Sequence, residues 1–407
     1  MQETTWITSF KNTWFLMTYK QARIKTMLEE ILMFPFVLLG RIYGRVFPLK
    51  TKHDIFLFFP SADIGGSPKV NIDITHAVKD KKPLIIFSKK PQNNGFKELF
   101  TIEGVRIIDL HKRIDNKFLH FVNFFYRGVI ASWVNKSQKP VIFGGECIFF
   151  YKMLAHVSKK VKRVELCHLN TWLPYSVAHA HRIDLRIFST DYLRREVAAQ
   201  YEKMRVNEKF KAKLLFIDNA IPIPPLKQVN NKVLEVVFIG RGSPQKRVPL
   251  IAAIATAMHQ AGDSVHFSFV GDVSEVIDIT ALPFATFYGN VQDQQLMDSI
   301  YEKSDVLIMT SAFEGLPIVV MKMMAYGKVV VSTAVNGIPD YIHHMENGLL
   351  IKSMEEDNII LEGINHLRTL INDPNLKIKL GNRSHDIAKD RFSEEVFTKT
   401  YRSILIR

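Results

Sequence analysis

The chain has 407 residues, which is enough for two domains with hydrophobic cores of their own. Its 47% hydrophobic content and near-zero mean hydropathy are typical of a globular protein and exclude a disordered or fibrous one. The two cysteines, Cys147 and Cys167, cannot form a disulfide framework and lack zinc-site spacing, so we expect both to be reduced and buried, in a cytosolic protein.

The net charge of +14 is unevenly distributed along the chain. Residues 1–218 hold 36 lysines and arginines against 19 acidic residues, whereas residues 219–407 hold 18 against 21. A basic first half predicts an acidic partner for that half. The sequence shows no zinc finger, helix-turn-helix or RNA-binding aromatic pattern, so we expect an anionic membrane or a phosphate-bearing acceptor and no nucleic acid.

Residues 1–53 form a basic, aromatic N-terminal extension. Its aromatic residues include Trp6, Trp14, Phe15 and Phe36, interleaved with lysines and arginines. This composition has two interpretations: a helix that lies in the plane of a membrane surface, or a helical extension that packs on the following domain with its cations in solvent. The longest apolar run, residues 31–40, is half of the roughly 20 residues that a membrane-spanning helix needs. We expect a cytoplasmic protein, and the first interpretation adds peripheral binding at the inner face of a membrane.

Short apolar runs alternate with longer amphipathic stretches in the rest of the chain, as in parallel sheets with crossover helices. In residues 54–218 the pattern predicts strands at 54–60, 84–87, 105–108, 141–143, 164–166, 185–189 and 214–217. The proline-rich segment 219–231 is the predicted linker. In residues 232–390 we predict strands at 234–239, 265–270, 286–288, 306–310 and 329–332. An amphipathic segment, residues 391–407, closes the chain. The predicted fold class is α/β, with two doubly wound domains facing a central cleft.

The loop after the strand at 234–239 reads GRGSPQKR and contains Gly240, Arg241 and Lys246. Glycine lets the backbone approach a ligand, and the start of the next helix offers free N–H groups to an anion. Arginine through its planar fork and lysine as a point charge can converge on a diphosphate. The loop is neither a dinucleotide fingerprint nor a P-loop. The alternative is an ordinary loop with solvated cations.

The second motif, residues 311–317, reads SAFEGLP and follows the strand at 306–310. The N–H groups of Glu314, Gly315 and Leu316 would face a sugar or phosphate from a helix N-terminus, whereas Pro317 has no N–H and only fixes the turn. The alternative for Glu314 is an acid placed at a helix start because of the dipole alone.

These two motifs resemble the G-R-x4-K and S-x-x-E-G-x-P elements of the retaining, group 1 glycosyltransferases of family four, which have the GT-B fold. The likeness is strongest over residues 236–350 and absent before residue 54. The resemblance implies two Rossmann-like domains: an acceptor-binding domain at 54–218 and a donor-nucleotide-binding domain at 232–390. It also implies that residues 391–407 form a helix that crosses back to the first domain.

The resemblance implies a set of site residues. The loop with Gly65 and Gly66 resembles one that lies near donor phosphate and acceptor, and His168 stands where a family histidine contacts the transferred sugar. A half-buried histidine with a structural hydrogen bond is the alternative for His168. The predicted catalytic residues are Glu314, His168, Lys246 and Arg241. The predicted donor-binding residues are Gly240, Arg241, Lys246, Glu314, Gly315, Leu316, Pro317, Lys322, Gly65 and Gly66.

Lys322 departs from the family pattern, which has a second glutamate at this position. In the family that carboxylate accepts hydrogen bonds from the donor ribose. Lysine carries three donors and no acceptor, so it cannot make the same contact. It can instead pair with Glu314, reach a phosphate oxygen, or mark either a donor that is bound differently or a weakened enzyme.

The resemblance implies retaining transfer of a hexose from a UDP- or GDP-linked sugar to a hydroxyl of a lipid-linked or cell-envelope saccharide. We expect no metal and no cofactor apart from the nucleotide sugar, because fixed cations and helix dipoles can stabilise the departing diphosphate. Two alternatives stay open. One is a catalytically silent GT-B partner protein, which Lys322 favours, and the other is a sugar-nucleotide epimerase of the same architecture.

Overall fold

The computed structural model of the protein describes residues 18–114, 120–168, 176–227, 229, 231–314 and 318–406. The predicted site residues Gly315, Leu316 and Pro317 therefore lie outside the described residues, as do the aromatic residues at positions 6, 14 and 15. The described residues divide into two compact units. One runs up to Asn219 and includes the chain from Phe397 onward, and the other is Ala220–Val396.

The first unit is built on a parallel sheet whose strand order is β3-β2-β1-β4-β5-β6-β7. Its strands are β1 Ile55–Phe59, β2 Leu84–Phe87, β3 Arg106–Asp109, β4 Val141–Gly144, β5 Lys162–Cys167, β6 Leu185–Phe188 and β7 Leu214–Phe216. Its helices are α1 Tyr19–Val46, α2 Gly66–Ala77, α3 His111–Ile114, α4 His120–Lys136, α5 Ile148–Met153 and α6 Asp191–Lys203. Strands β1, β2 and β4 are buried along their whole length, because helices cover both faces of a doubly wound sheet.

The second unit has the same design, with the strand order β10-β9-β8-β11-β12-β13. Its strands are β8 Leu234–Ile239, β9 Val265–Val270, β10 Thr286–Gly289, β11 Val306–Met309, β12 Val329–Thr333 and β13 Leu349–Ile351. Its helices are α7 Val248–Gln260, α8 Gln294–Lys303, α9 Ile318–Ala325, α10 Glu356–Asn372 and α11 Pro374–Phe392, followed by α12 Glu394–Leu405. Apolar side chains from alternate strand positions fill a separate core on each face of the sheet.

The predicted strands are confirmed to within a few residues at their ends. The pattern missed β13, which is three residues long and carries too few side chains to show a periodicity. Both cysteines are free and buried, as predicted.

The C-terminal helix α12 contributes side chains to the first unit. Tyr401 is fully buried and its ring meets Phe143 edge-on, with ring centroids 6.2 Å apart. The Lys162 ammonium donates to the carbonyl oxygen of Ile404 at 2.6 Å, and Arg402 donates to Asp80 at 2.5 Å. The unit is therefore assembled from both ends of the chain.

Helix α1 lies against α4 with almost no space between the two backbones. A Cβ on Gly40 would lie 1.9 Å from the carbonyl oxygen of Phe125, and one on Gly128 would lie 2.0 Å from that of Val37. Only glycine allows such a close approach of two helices. One face of α1 is therefore fixed on the unit. None of the helices in the described part of the chain is long and apolar enough to cross a membrane.

Candidate functional site

The two predicted donor motifs lie at the point where the strand order of the second sheet reverses. Strands β8 and β11 are neighbours although two α-helices and two strands separate them in sequence. The loop after each strand leaves the carboxyl edge of the sheet, and such switch points form the binding crevices of open α/β sheets. Residues 240–247 and 310–314 are thereby brought together.

Lys246 and Glu314 are in direct contact at this edge. The Lys246 ammonium donates to a carboxylate oxygen of Glu314 at 2.7 Å. The side chain of Glu314 is 7% exposed and that of Lys246 is 19% exposed, so little water screens the pair. Glu314 thus holds a cation at a fixed place, with its ammonium near the surface of the unit.

Arg247 joins the two loops, although the sequence assigned it no role. It has φ 46° and ψ 45°, a left-handed conformation, and stands directly before α7. Its guanidinium donates to the carbonyl oxygens of Thr310 at 2.7 Å and Ser311 at 3.1 Å. In return the Thr310 hydroxyl donates to the carbonyl oxygen of Arg247 at 3.0 Å. These bonds hold the loop that carries Lys246 against the loop that carries Glu314.

A third loop, after β12, also reaches the site. Asn336 has φ 45°, and its side-chain oxygen accepts the backbone N–H of Glu314 at 2.9 Å. The Thr333 hydroxyl donates to the carbonyl oxygen of Ser311 at 2.7 Å. The Asn336-Gly337 dipeptide after a strand was the signal for this contact, because asparagine tolerates the left-handed region.

Gly240 and Arg241 lie on the same edge as the pair. Arg241 is exposed, and a Cβ on Gly240 would lie 3.1 Å from the ring of Phe238. The close fit extends to Gly271, whose φ is +111° and where a Cβ would lie 2.0 Å from the carbonyl oxygen of Gly240. The backbone of this loop is therefore set by contacts that only glycine at position 271 allows.

Lys322 is on α9, and its ammonium lies 5.3 Å from the centre of the Tyr301 ring. Tyr301 is stacked on Tyr326, whose hydroxyl donates to Asp298 at 2.8 Å. A cation over an aromatic face is an attractive contact. Lys322 thus has a partner in the protein, whereas Glu314 pairs with Lys246.

The first unit has a switch point of its own, between β1 and β4. Gly65 and Gly66 follow β1, and Glu146 follows β4 with φ 54°. One carboxylate oxygen of Glu146 accepts the backbone N–H of His168 at 2.9 Å, and the other accepts the Ser67 hydroxyl at 3.3 Å. Glu146 therefore connects the loops after β1, β4 and β5. Sequence reasoning missed it, although the Gly-Gly-Glu run after a strand was a signal.

His168 follows β5 at the same edge. Burial lowers the pKa of its imidazole to about 4, so the ring is neutral at pH 7. Among the described residues no group forms a hydrogen bond with its Nε2 atom, which is buried.

A buried ion pair lies beneath His168. Glu165 on β5 and Arg186 on β6 are register partners, and the guanidinium donates to the carboxylate at 2.5 Å. Their side chains are 0% and 2% exposed. Tyr151 and Cys167 also donate to Glu165, at 2.9 and 3.2 Å. The carboxylate is therefore fully satisfied without solvent.

Residues 234–369 match the family model described as "Glycosyl transferases group 1". The match lies within the second unit and covers 136 of the 407 residues. The matched segment contains Gly240, Arg241, Lys246, Glu314 and Lys322.

Curated relatives match parts of the chain. An uncharacterized glycosyltransferase of Haemophilus influenzae is 34% identical over 97 residues, which cover 24% of this chain and 26% of the relative. The lipopolysaccharide core biosynthesis glycosyltransferase LpsE of Rhizobium meliloti is 29% identical over 101 residues, which cover 25% of this chain and 28% of LpsE. The matched part thus spans about a quarter of the length of each relative.

Solved structures resemble the chain over most of its length. HepE of Anabaena, in complex with UDP, has a TM-score of 0.66 at 17% identity, and the match covers 87% of this chain and 99% of HepE. A glycosyltransferase of Rickettsia africae has a TM-score of 0.65 at 14% identity, with 88% and 100% covered. At such identities the likeness shows the fold, and the predicted GT-B class with two Rossmann-like units is confirmed.

Proposed function

We propose that the chain is a retaining hexosyltransferase of family four that uses a nucleoside diphosphate sugar as donor. The observation that carries the proposal is the 2.7 Å contact between Lys246 and Glu314 at the switch point of the segment that matches the group 1 family model. The two residues are 68 positions apart, and the fold joins the two motifs that the resemblance assigns to the donor.

The chemistry of the donor explains why a fixed cation is needed. When the sugar leaves, negative charge develops on the terminal phosphate of the nucleoside diphosphate. A preorganised ammonium at that place stabilises the transition state more than it would in water. Lys246 supplies this charge because Glu314 holds it in place, and the exposed guanidinium of Arg241 adds a second donor on the same edge. The proposed reaction needs no metal, since these cations neutralise the diphosphate.

The proposed donor is UDP-linked. Support comes from HepE of Anabaena, which has been solved with UDP and with UDP-glucose. The proposed acceptor is a hydroxyl of a lipid-linked or cell-envelope saccharide, and the name of LpsE supports this class. The first unit is the proposed acceptor domain. Its neutral His168 and the carboxylate of Glu146 can accept hydrogen bonds from sugar hydroxyls.

A catalytically silent partner protein is a second candidate, and the position of Lys322 favours it. Its ammonium lies over Tyr301 and offers no acceptor for the ribose hydroxyls. In that case the domain would keep the fold and lose productive donor binding.

The test is a screen of the purified chain against UDP- and GDP-linked hexoses. We expect UDP to raise the unfolding temperature and one UDP-sugar to be hydrolysed slowly without acceptor. No thermal shift with either nucleotide and no turnover with any donor would favour the silent form. Conversion of the donor into another nucleotide sugar would favour an epimerase.

The variant Lys322→Glu sharpens the test. A higher affinity for the UDP-sugar in this variant would show that the wild-type chain has lost a ribose contact. Loss of activity would show that Lys322 itself contacts the donor. Tyr301→Leu is the matched control, because it removes the partner of Lys322 and keeps the lysine.

A further inference from the structure

The outward face of helix α1 is apolar over a long stretch, and the proposed activity does not account for it. Between Met27 and Leu39, about 20 Å of helix, the exposed side chains are all apolar. Leu28 is 60% exposed and Leu32 is 70% exposed. The exposed apolar residues of this face are Met27, Leu28, Ile31, Leu32, Phe34, Pro35, Phe36, Leu38 and Leu39. A continuous patch of this kind marks an interaction site.

The acidic residues of α1 all point toward the body of the unit. Glu29 pairs with Lys152 and also with Arg127, and Glu30 pairs with Arg182. The ion pairs of Glu29 hold the pKa of its carboxyl below the usual value, even though burial opposes this shift. These pairs and the glycine contacts with α4 fix the rotation of α1 about its axis. The apolar face is therefore held outward by the fold.

Cations lie at both ends of the apolar face. Lys20, Arg23 and Lys25 are exposed at the N-terminal end, and Arg45 and Lys50 are exposed at the other. At the first end, the residues that line a cavity of about 270 Å³ include Lys20, Arg23 and Arg182, next to Ile24 and Met27, together with one acidic residue, Glu30, which pairs with Arg182. Basic residues that flank an apolar face are the pattern of a helix lying in a membrane interface.

The charges distinguish a lipid surface from a protein partner of the same sequence. A second copy on this face would bring lysines and arginines opposite one another in either orientation, which is repulsive. Residues 1–17 contain one lysine and one glutamate, so they cannot neutralise the cations either. An anionic bilayer complements both features, since its acyl region accepts the apolar side chains and its headgroups attract the cations.

We propose that the outward face of α1 docks the protein on an anionic lipid bilayer, with the helix in the plane of the membrane. This inference does not rest on the proposed activity, since it concerns a different surface of the first unit. It gives the first unit a fixed place at the membrane surface.

Flotation of the full chain with vesicles tests the proposal without any sugar donor. We expect binding to vesicles that contain about one third phosphatidylglycerol and little binding to pure phosphatidylcholine. The variant Leu28→Glu with Leu32→Glu should lower the partition coefficient about 100-fold, because two buried leucines are lost from the contact. The control Leu361→Glu replaces a leucine that is 57% exposed on α10 and should bind as the wild type does.

A second pair of variants tests the charges. Lys20→Gln with Arg23→Gln should weaken binding about tenfold and make it less sensitive to salt. Lys379→Gln with Lys389→Gln removes the same charge from exposed positions of the second unit and should have no effect. The role assigned to the cations would be overturned if the wild type bound neutral and anionic vesicles equally well. It would also be overturned if the two double variants lost the same amount of vesicle binding.

The leucine variants also separate lipid from protein as the occupant. If lipid is the occupant, the unfolding temperature and the oligomeric state without vesicles should not change in Leu28→Glu with Leu32→Glu. A lower unfolding temperature would show that the chain itself covers the face, and dissociation of an oligomer would show that a second copy does. Either result, or no flotation with anionic vesicles, would overturn the proposal and leave the proposed transfer activity untouched.

Discussion

The two units share one sheet design but place opposite chemistry at their switch points. In the second unit, which belongs to the near-neutral half of the chain, the edge holds the cation of Lys246. In the first, which belongs to the strongly basic half, the edge holds the carboxylate of Glu146 and the neutral imidazole of His168. The net charge of a domain therefore does not predict the charge at its site. It reflects the outer surface, where the cations of α1 lie.

The two sites are also held in place by different means. In the second unit, side chains bond to the carbonyl oxygens of neighbouring loops, as Arg247 does with Thr310 and Ser311. In the first, the loops after β1 and β5 meet at Glu146, above the buried pair of Glu165 and Arg186. We therefore expect substitutions at the switch point of the second unit to lower the rate of sugar transfer. Substitutions of the buried pair Glu165 and Arg186 in the first unit should instead lower the free energy of unfolding.

The largest effect should come from Lys246→Ala. Because this residue provides the fixed positive charge, we expect transfer to fall about 10²–10³-fold. The unfolding temperature should also fall, because the Glu314 side chain is only 7% exposed and loses its cation, so rates are compared at a temperature at which the variant is folded. Transfer rates measured with a radiolabelled donor test the expected fall in activity. Lys227→Ala is the control, because Lys227 makes a similar 2.8 Å pair with Glu302 at an exposed position. Full activity of Lys246→Ala would remove the proposed site.

The next effect concerns Arg186→Met in the first unit. The substitution leaves Glu165 buried without its cation, and we expect the free energy of unfolding to fall by about 3–5 kcal/mol. Urea denaturation followed by circular dichroism measures it. Adding Glu165→Leu should recover much of the loss, because the uncompensated charge is then removed. If Arg186→Met alone is as stable as the wild type, the ion pair is not shielded from water.

A smaller effect is expected for Glu146→Gln. The amide oxygen can still accept one of the two hydrogen bonds, but the negative charge at the switch point is lost. We expect transfer to fall about tenfold while the affinity for UDP stays unchanged. Calorimetric titration with UDP and acceptor-dependent rates separate the two quantities. A weaker affinity for UDP would instead assign this edge to the donor.

The smallest effect is predicted for Gly66→Ala. Apart from the adjacent residues and the backbone of α2 itself, no atom of the described residues lies within 4 Å of the added Cβ, and the backbone does not need glycine there. Stability should therefore stay within about 0.5 kcal/mol of the wild type, and any fall in transfer would report a ligand that comes close to the backbone. Gly242→Ala is the contrasting variant, since its Cβ would lie 2.7 Å from the carbonyl oxygen of Asp272 and should destabilise the protein. Unchanged activity in Gly66→Ala would exclude the predicted close approach.

The sequence by itself determined every strand except β13, the order of the two α/β units and the two donor motifs. A strand buried on both faces is a continuous apolar run, so β1, β2 and β11 could be read from adjacent residues alone. The positions of Lys246 and Glu314 in their loops followed from motifs of a few residues each. Arg247 and Asn336 were not identified, because their partners are backbone groups of distant loops.

Only the tertiary structure decided which distant residues meet. Strand register placed Glu165 beside Arg186, and the switch points placed Glu146 beside His168 and Lys246 beside Glu314. The same holds for α1, where the composition allowed a packed helix or an interfacial one. The structure shows that one face packs and the other is exposed. Local patterns reflect the periodicity of one element, whereas contacts depend on how several elements are arranged in space, which no short segment encodes.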